Sequence, residues 1–486
     1  MLGGIGSRPS GRSTNRRGGA TLLILATAVP MFLVSLNNLV VTNALPVLAR
    51  ELASGPDRLQ WIIHAYSLSF AGLLLTGAAL GDRFGRRRLF TVGIVIFTVG
   101  SAVCAVSGTL GMLVAGRVVQ GTGAAVVFPL SLTLLANGVA DNRRAMAIGL
   151  WSAVNGLGVA LGPLIGGAVT ESFGWPGIFW ILVPVGLVLI PVARLLLPES
   201  AGPDRDIDLL GVLLASAAVM ALVWSIVQAG QEGWGSATAV SGFAAAMLLV
   251  SLFVGWERRA AEPLLPLYFY RTRAFVLSNL VALLMFFGVF GALYWLMQYL
   301  QVVLAYSPLD AGIRTLPWTA MPMLVAVLAG SVTGRVGAGR LMAAGLVLEA
   351  VALGWSAAIM DASVPYGRIV PALLLGGIGM GLIFAPMTEA VLASVHSDDR
   401  GKASGANATV RELGFALGVA VLTTVVTRTA GPLTGGTGFV DAVRPAIWLG
   451  AAVVAVGAFA ALALPRHAPS ATGRGLHTTV GAGAAP

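Results

Sequence analysis

The chain is written as long apolar runs joined by short polar breaks, and that pattern leaves few folds open. Apolar runs of about 18 or more residues are long enough to cross a bilayer as a helix. Hydrophobic residues make up 57% of the 486 and charged residues only 10%, too apolar a balance for a soluble globule of this length. Fourteen spans are predicted, at about 21–45, 60–80, 89–108, 110–137, 145–170, 177–197, 208–229, 237–256, 274–303, 311–333, 341–360, 369–395, 403–427 and 445–465. Between the second and third lies Leu80-Gly81-Asp82-Arg83-Phe84-Gly85-Arg86-Arg87-Arg88, with five of its nine residues charged. Such a cluster cannot lie in hydrocarbon, so it is a loop pinned at a water interface.

Charge fixes an orientation. With the N-terminus placed in the cytoplasm, 22 Lys and Arg fall on cytoplasmic segments and 6 on the other side, leaving Arg117 and Arg411 inside spans. Both termini are therefore expected in the cytoplasm of a bacterial cell, with the chain multi-pass in its inner membrane. The net charge of +10 does not point to nucleic acid, because the basic residues are spread over short loops with few aromatics beside them. Arg8, Arg12, Arg16 and Arg17 precede the first apolar run as in a signal peptide. That run is too long and lacks a clear cleavage site, so it reads as an uncleaved first span. The polar tails, 1–19 and 466–486, lack apolar periodicity and are expected to be mobile.

Other classes fare poorly. The single Cys104 excludes an internal disulfide or a Cys-based metal site. The four His are scattered, no nucleophile has a plausible partner, and no Gly-rich, Lys-containing nucleotide loop is present. The chain is not expected to be an enzyme or to need a metal or cofactor, and its energy should come from an ion gradient.

The chain is also expected to be built twice. Pro129 is followed twelve residues later by Asp141-Asn142-Arg143, and Pro386 at the same distance by Asp398-Asp399-Arg400, an offset of 257. Arg83, Gly85 and Arg88 recur 252 residues on as Arg335, Gly337 and Arg340. Two six-helix bundles, 20–200 and 261–465, with an inserted helix pair in 201–260, account for both offsets. Parallel six-helix repeats are a transporter plan with the substrate site between the halves.

These residues resemble a known family. The 80–87 loop is similar to the signature between spans 2 and 3 of the major facilitator superfamily. Arg117-Val118-Val119-Gln120-Gly121 resembles its span-4 basic motif. Gly158-Val159-Ala160-Leu161-Gly162-Pro163-Leu164-Ile165-Gly166-Gly167 resembles the span-5 antiporter motif of its exporters. Ala44-Leu45-Pro46, Trp61-Ile62-Ile63 with Tyr66, and Arg411-Glu412-Leu413-Gly414 resemble the fourteen-span drug:proton antiporter branch. The resemblance covers about residues 20–465. It implies an all-helical major facilitator fold and export of a small lipophilic drug or antibiotic in exchange for protons, by a protein expected to be a monomer in the bilayer. Export of one endogenous metabolite or lipid remains open, as does a non-transporting membrane sensor on the same fold. Three positions depart from the pattern: Ala78 replaces the Gly that opens the loop signature, Gly334 replaces its Asp in the second copy, and Asn37 replaces the usual span-1 Asp. An amide does not titrate, so Asn37 carries no proton.

Each candidate residue has a plainer reading beside it. Asp82, Arg83, Gly85 and Arg86 would form a conformational latch with an acid such as Asp141, or the arginines merely enforce topology. Gly158, Gly162 and Gly166 with Pro163 and Gly167 would seal the two halves, or serve ordinary close helix packing. Arg117, with Gln120 one turn on, is a charge inside a span that either faces a cavity or snorkels to the interface. Proton coupling is expected from His64, Glu389 or Glu412, assisted by Arg117. Against this, His64 can be an interfacial histidine, and Glu389 can be neutralised by Arg411. Glu349 is a weaker candidate. Asn37, Gln120, Asn155, Tyr294, Trp295, Gln298 and Trp318 would line the substrate cavity, or the aromatics would face lipid.

Overall fold

The computed structural model describes residues 16–139, 141–201, 208–260, 263, 265–396, 399–429 and 436–465. Fourteen long helices run in order, with no strand among the described residues. They are α1 (Arg16–Glu51), α2 (Pro56–Phe84), α3 (Arg86–Ala105), α4 (Leu110–Gly138), α5 (Asp141–Phe173), α6 (Gly177–Leu196) and α7 (Leu209–Glu232). The rest are α8 (Ala237–Glu257), α9 (Arg273–Val303), α10 (Pro308–Val336), α11 (Ala338–Ile359), α12 (Tyr366–Ala393), α13 (Arg400–Thr429) and α14 (Gly436–Leu462). All fourteen predicted spans fall on these helices. The 1–15 and 466–486 tails and the side chain of Asp141 lie outside the described residues.

Three helices are broken in ways that apolar periodicity does not reveal. Helix α2 bends by 48° between Arg58–Leu74 and Thr76–Phe84. Helix α9 contains two π turns, Phe286–Phe290 and Tyr299–Val303. Helix α10 divides at Ala320, flanked by Pro317 and Pro322, into Pro308–Thr319 and Met321–Val336. Helix α14 begins at Gly436, well before the predicted 445, because Pro445 sits inside it. Membrane helices accommodate such prolines when neighbouring helices satisfy the freed backbone.

The duplication is visible in packing. Helix α3 packs on α4 and α6, α2 on α4, and α1 on α5. Eight helices later α11 packs on α12 and α14, α10 on α12, and α9 on α13. The two six-helix sets meet along α5–α10 and α2–α13, seams that interchange when the halves are swapped. Helices α7 and α8 pack on each other. Val223, Ile226 and Val227 of α7 lie against Ala416 and Ala420 of α13, so the extra pair sits beside one seam.

The repeated loops share one backbone. Gly85 and Gly337 have φ of +101° and +95°, a region that side chains disfavour. Their amides bond the carbonyls of Gly81 and Thr333 at 3.1 and 2.8 Å. These turns mark one end of the molecule, called here the loop end. The α1–α2 and α9–α10 connections mark the far end.

Candidate functional site

The first half contains a buried cation. Arg117 of α4 is fully buried. Its Nε donates to the Ile62 carbonyl at 2.9 Å and its Nη1 to Gln120 Oε1 at 2.6 Å. Asn37 Nδ2 donates to the same Gln120 oxygen at 3.2 Å, and Gln120 Nε2 donates to Ser101 Oγ at 2.8 Å. The guanidinium carbon stands 4.2 Å from the Tyr66 ring centroid. Arg117 therefore does not snorkel. It ties α2, α3 and α4 together, with Asn37 reaching in from α1.

Tyr66 is also the wall between this network and a cavity of about 80 Å³ between the halves. The cavity is lined by Ser35 and Asn155 of the first half and by Arg411 and Glu412 of the second, with phenylalanines from both halves between them. Ser35 and Asn155 are hydrogen-bonded to each other. The Arg411 guanidinium lies over the Phe286 and Phe384 rings at 4.6 and 5.4 Å. Glu412 Oε2 has no hydrogen-bond partner, and Tyr66 lies within electrostatic reach of both Glu412 and Arg117. Liquid water occupies about 30 Å³ per molecule and drug-sized pockets run to about 300–1,000 Å³. In this conformation the cavity has room for a few waters and not for a drug.

Several expected site residues lie elsewhere. Glu389 is exposed, near the loop end of α12, and forms no ion pair with Arg411 among the described residues. His64 is fully buried behind Trp61, bonded through Nε2 to Gln60 Oε1 at 3.3 Å, and it does not line the cavity. Asn37 and Gln120 belong to the Arg117 network rather than the cavity wall. Tyr294, Trp295, Gln298 and Trp318 are buried and line neither the cavity nor the outer surface; Trp295 packs on Phe439 of α14 at 6.0 Å. Tyr294, Trp295 and Gln298 lie in the α-helical stretch between the two π turns of α9 and pack inside the second half, while Trp318 lies on α10.

The antiporter motif divides its work. Gly158, Gly162 and Gly166 face α1 within the same half: a side chain at these positions would meet Phe32, Leu39 and Val40 at 2.7–2.8 Å. The stripe therefore does not seal the two halves, which corrects the expectation. The motif meets the other half through Pro163 and Gly167, which abut Gly312 and Pro308 of α10. Here sequence reasoning missed the organising residue. Asn43 Nδ2 donates to the Pro163 carbonyl at 2.7 Å and lies 3.0 Å from the Pro308 carbonyl, and Asn43 Oδ1 accepts from Gln301 Nε2 at 2.7 Å. Thr319 Oγ1 donates to the Ala160 carbonyl at 2.9 Å. The seam is closed at the far end. Toward the loop end α10 leaves α5, and Leu150, Leu157, Leu324, Val327 and Leu328 are exposed.

The charged loop also has an unforeseen partner. Arg86 pairs with Asp82 at 2.7 Å, while Arg87 and Arg88 approach Glu199 at 3.5 and 3.7 Å. Two backbone amides complete the clamp: Arg87 N bonds Glu199 Oε1 at 3.0 Å, and Arg86 N bonds the Ser200 carbonyl at 2.8 Å. Glu199 lies just past α6, a position with no period to flag it. In the second copy Gly334, Arg335 and Arg340 are exposed, and Arg335 and Arg340 make no ion pair among the described residues.

Residues 27–419 match the Major Facilitator Superfamily model. The chain belongs to that superfamily. Its relatives place it in the multidrug-efflux branch. It is 34% identical to the multidrug resistance protein Stp of Mycobacterium tuberculosis (strain CDC 1551 / Oshkosh), over 83% of this chain and 75% of the relative. It is 35% identical to the tetracenomycin C resistance and export protein of Streptomyces glaucescens, over 82% and 74%. It is 32% identical to the multidrug efflux pump LfrA of Mycolicibacterium smegmatis, over 87% and 84%. Among solved structures, an auto-inhibited POT family peptide transporter superposes with a TM-score of 0.67 at 15% identity, covering 91% of this chain and 96% of the other. A bacterial homologue of the lysosomal transporter Spinster, inward-facing and unoccupied, gives 0.64 at 17%, again covering 91% and 96%. These likenesses show the fold. Against it, this superfamily member has a far-end seam that is shut and a loop-end seam that is parted.

Proposed function

We propose that this protein exports lipophilic drugs or antibiotics across the bacterial cytoplasmic membrane in exchange for protons, with both termini cytoplasmic. The loop end then faces the cytoplasm, and the parted α5–α10 seam corresponds to an inward-facing state. The observation that carries the reading is Glu412: a carboxylate with an unpartnered oxygen, on the wall of a cavity between the halves, among phenylalanine rings. Carboxylates inside membrane spans mark ion and substrate pathways. A bound cationic or polarisable drug and a proton would compete for this group. Arg411, on the same cavity wall, supplies a fixed positive charge beside it. Rocking of the halves about the cavity would part the Asn43–Pro163–Pro308 contact and open the far side. Relatives named for multidrug resistance and efflux support a lipophilic, varied substrate range. A dedicated exporter of one metabolite is the second reading, favoured by the relative named for tetracenomycin C export.

The test is drug movement in proteoliposomes under an imposed pH gradient. Ethidium uptake against its concentration gradient, dissipated by a protonophore, is expected. Transport indifferent to the gradient would sink the antiport reading.

A further inference from the structure

The second half hides a carboxyl group that the Glu412 cavity does not use. Glu349 of α11 is fully buried, and neither of its oxygens has a hydrogen-bond partner. It sits where α11 and α12 cross at their closest, one turn beyond the Gly345–Gly379 backbone contact. Gly376 of α12 opens the space for its head: a side chain there would meet Glu349 Oε2 at 3.3 Å and the Trp318 indole nitrogen at 3.2 Å. The indole N–H and the carboxyl thus converge over one glycine, and the indole nitrogen is also unpartnered.

Among the described residues no charged group pairs with this carboxyl. Arg314, one turn before Trp318 on α10, is paired with Asp310 at 2.6 Å and stacked on Tyr306 at 4.1 Å. On α12, Arg368 and Glu389 lie near opposite ends. On α14, Asp441 and Arg444 approach each other at 3.7 Å near its start. The Trp318 indole nitrogen is the polar side-chain atom that shares the space over Gly376 with its head. An isolated carboxylate in such a place costs far more than its neutral acid.

Trp318 connects this acid to the far-end seam. It belongs to the Pro308–Thr319 segment of α10, and its neighbour Thr319 donates to the Ala160 carbonyl of α5 in the other half. The carbonyls of Pro317 and Trp318 press on Gly377 of α12.

We propose that Glu349 is a second proton-binding site, separate from the Glu412 cavity, whose occupancy holds the Pro308–Thr319 segment closed on α5. With the proton bound, the neutral acid is compatible with its dry pocket and the segment stays seated. When the proton leaves, the anion cannot remain unsolvated. The Trp318 segment must move aside to admit water, which loosens the Thr319–Ala160 contact. This site rests on the proton-coupled reading above, since only a proton-driven cycle would load and empty it.

The test is infrared difference spectroscopy of the full chain in liposomes, stepped between acid and alkaline pH without drug or gradient. Wild type is expected to show a carbonyl band from protonated carboxylic acid that is lost on alkalinisation. Glu349→Gln should remove one component of that band and Glu412→Gln a different one. Trp318→Phe should shift the Glu349 component, because the polar N–H beside the carboxyl is gone. If Glu349→Gln fails to fold, Glu349→Asp provides the readout through a displaced but still titrating component. A Glu349→Gln spectrum identical to wild type overturns the proposal. Because the spectra require no transport, that outcome stands apart from failure of gradient-driven uptake.

Discussion

The two halves share one helical plan and differ in their buried charge. In the first, the span-1 position that the branch usually fills with Asp is Asn37, and the buried ion is Arg117, which has a ring beneath it and hydrogen bonds to Ile62 and Gln120. In the second, the buried Glu349 and the half-buried Glu412 have unpartnered oxygens. A cation that cannot give up its proton is a fixed electrostatic element, even with its Nη2 unpartnered. An acid with bonds unmade is one that can change state. The difference assigns rigidity to the first half and proton exchange to the second.

That assignment breaks most readily at Glu412. Glu412→Gln keeps the shape and removes the titration, so drug-driven proton flux in proteoliposomes is expected to vanish. Thermal stability in detergent should not fall, because an amide of the same shape costs less to hold beside the phenylalanine rings than a carboxylate. A large loss of stability would place Glu412 in the structural class instead. Arg117→Met is the converse. It removes the charge-assisted bonds to the Ile62 carbonyl and to Gln120 Oε1, at about 1.5–3 kcal/mol each, although Gln120 Oε1 keeps its bond from Asn37, so the unfolding midpoint should fall. An Arg117→Met protein as stable as wild type contradicts the structural role of the cation.

The seam sharpens the comparison further. Asn43→Ala removes bonds to both halves at the far end, worth about 1–3 kcal/mol of bias, or a roughly 5- to 150-fold change in the population closed there. Spin-label distances across the far end should lengthen. Unchanged distances would mean that backbone packing at Gly167 and Pro308 suffices. The smallest effects belong to the loops. Exposed and half-exposed ion pairs are worth about 0.2–1 kcal/mol, so Glu199→Gln should slow transport only a few-fold while the amide contacts persist. Arg335→Gln in the second copy should leave transport rates unchanged. Equal slowing by both would erase the asymmetry between the loops.

Much of this was legible in the amino-acid order. Span count follows from apolar length, the repeated loops from Gly85 and Gly337, the helix crossing at α5 from its four-residue glycine spacing, and Glu412 from its depth in a span. What stayed hidden shares one cause. Depth in a span is written in the local sequence, but the direction a side chain faces depends on helix phase and on distant partners. Glu389 and Glu412 look alike in their spans, yet one is exposed and one lines the cavity. Tyr294 and Trp295 sit deep in their span too, yet they pack within the second half and do not line the cavity. Asn43 and Glu199 act through residues more than a hundred positions away, Pro163 and Pro308 for the first, and Arg87 and Arg88 for the second.

The most direct measurement is proton release on drug binding. Ethidium added to the purified chain in weakly buffered detergent, with a pH indicator present, should release protons from wild type. It should release them from Arg117→Lys as well, and none from Glu412→Gln. Undiminished release from Glu412→Gln would contradict the assignment of proton exchange to the second half's cavity acid.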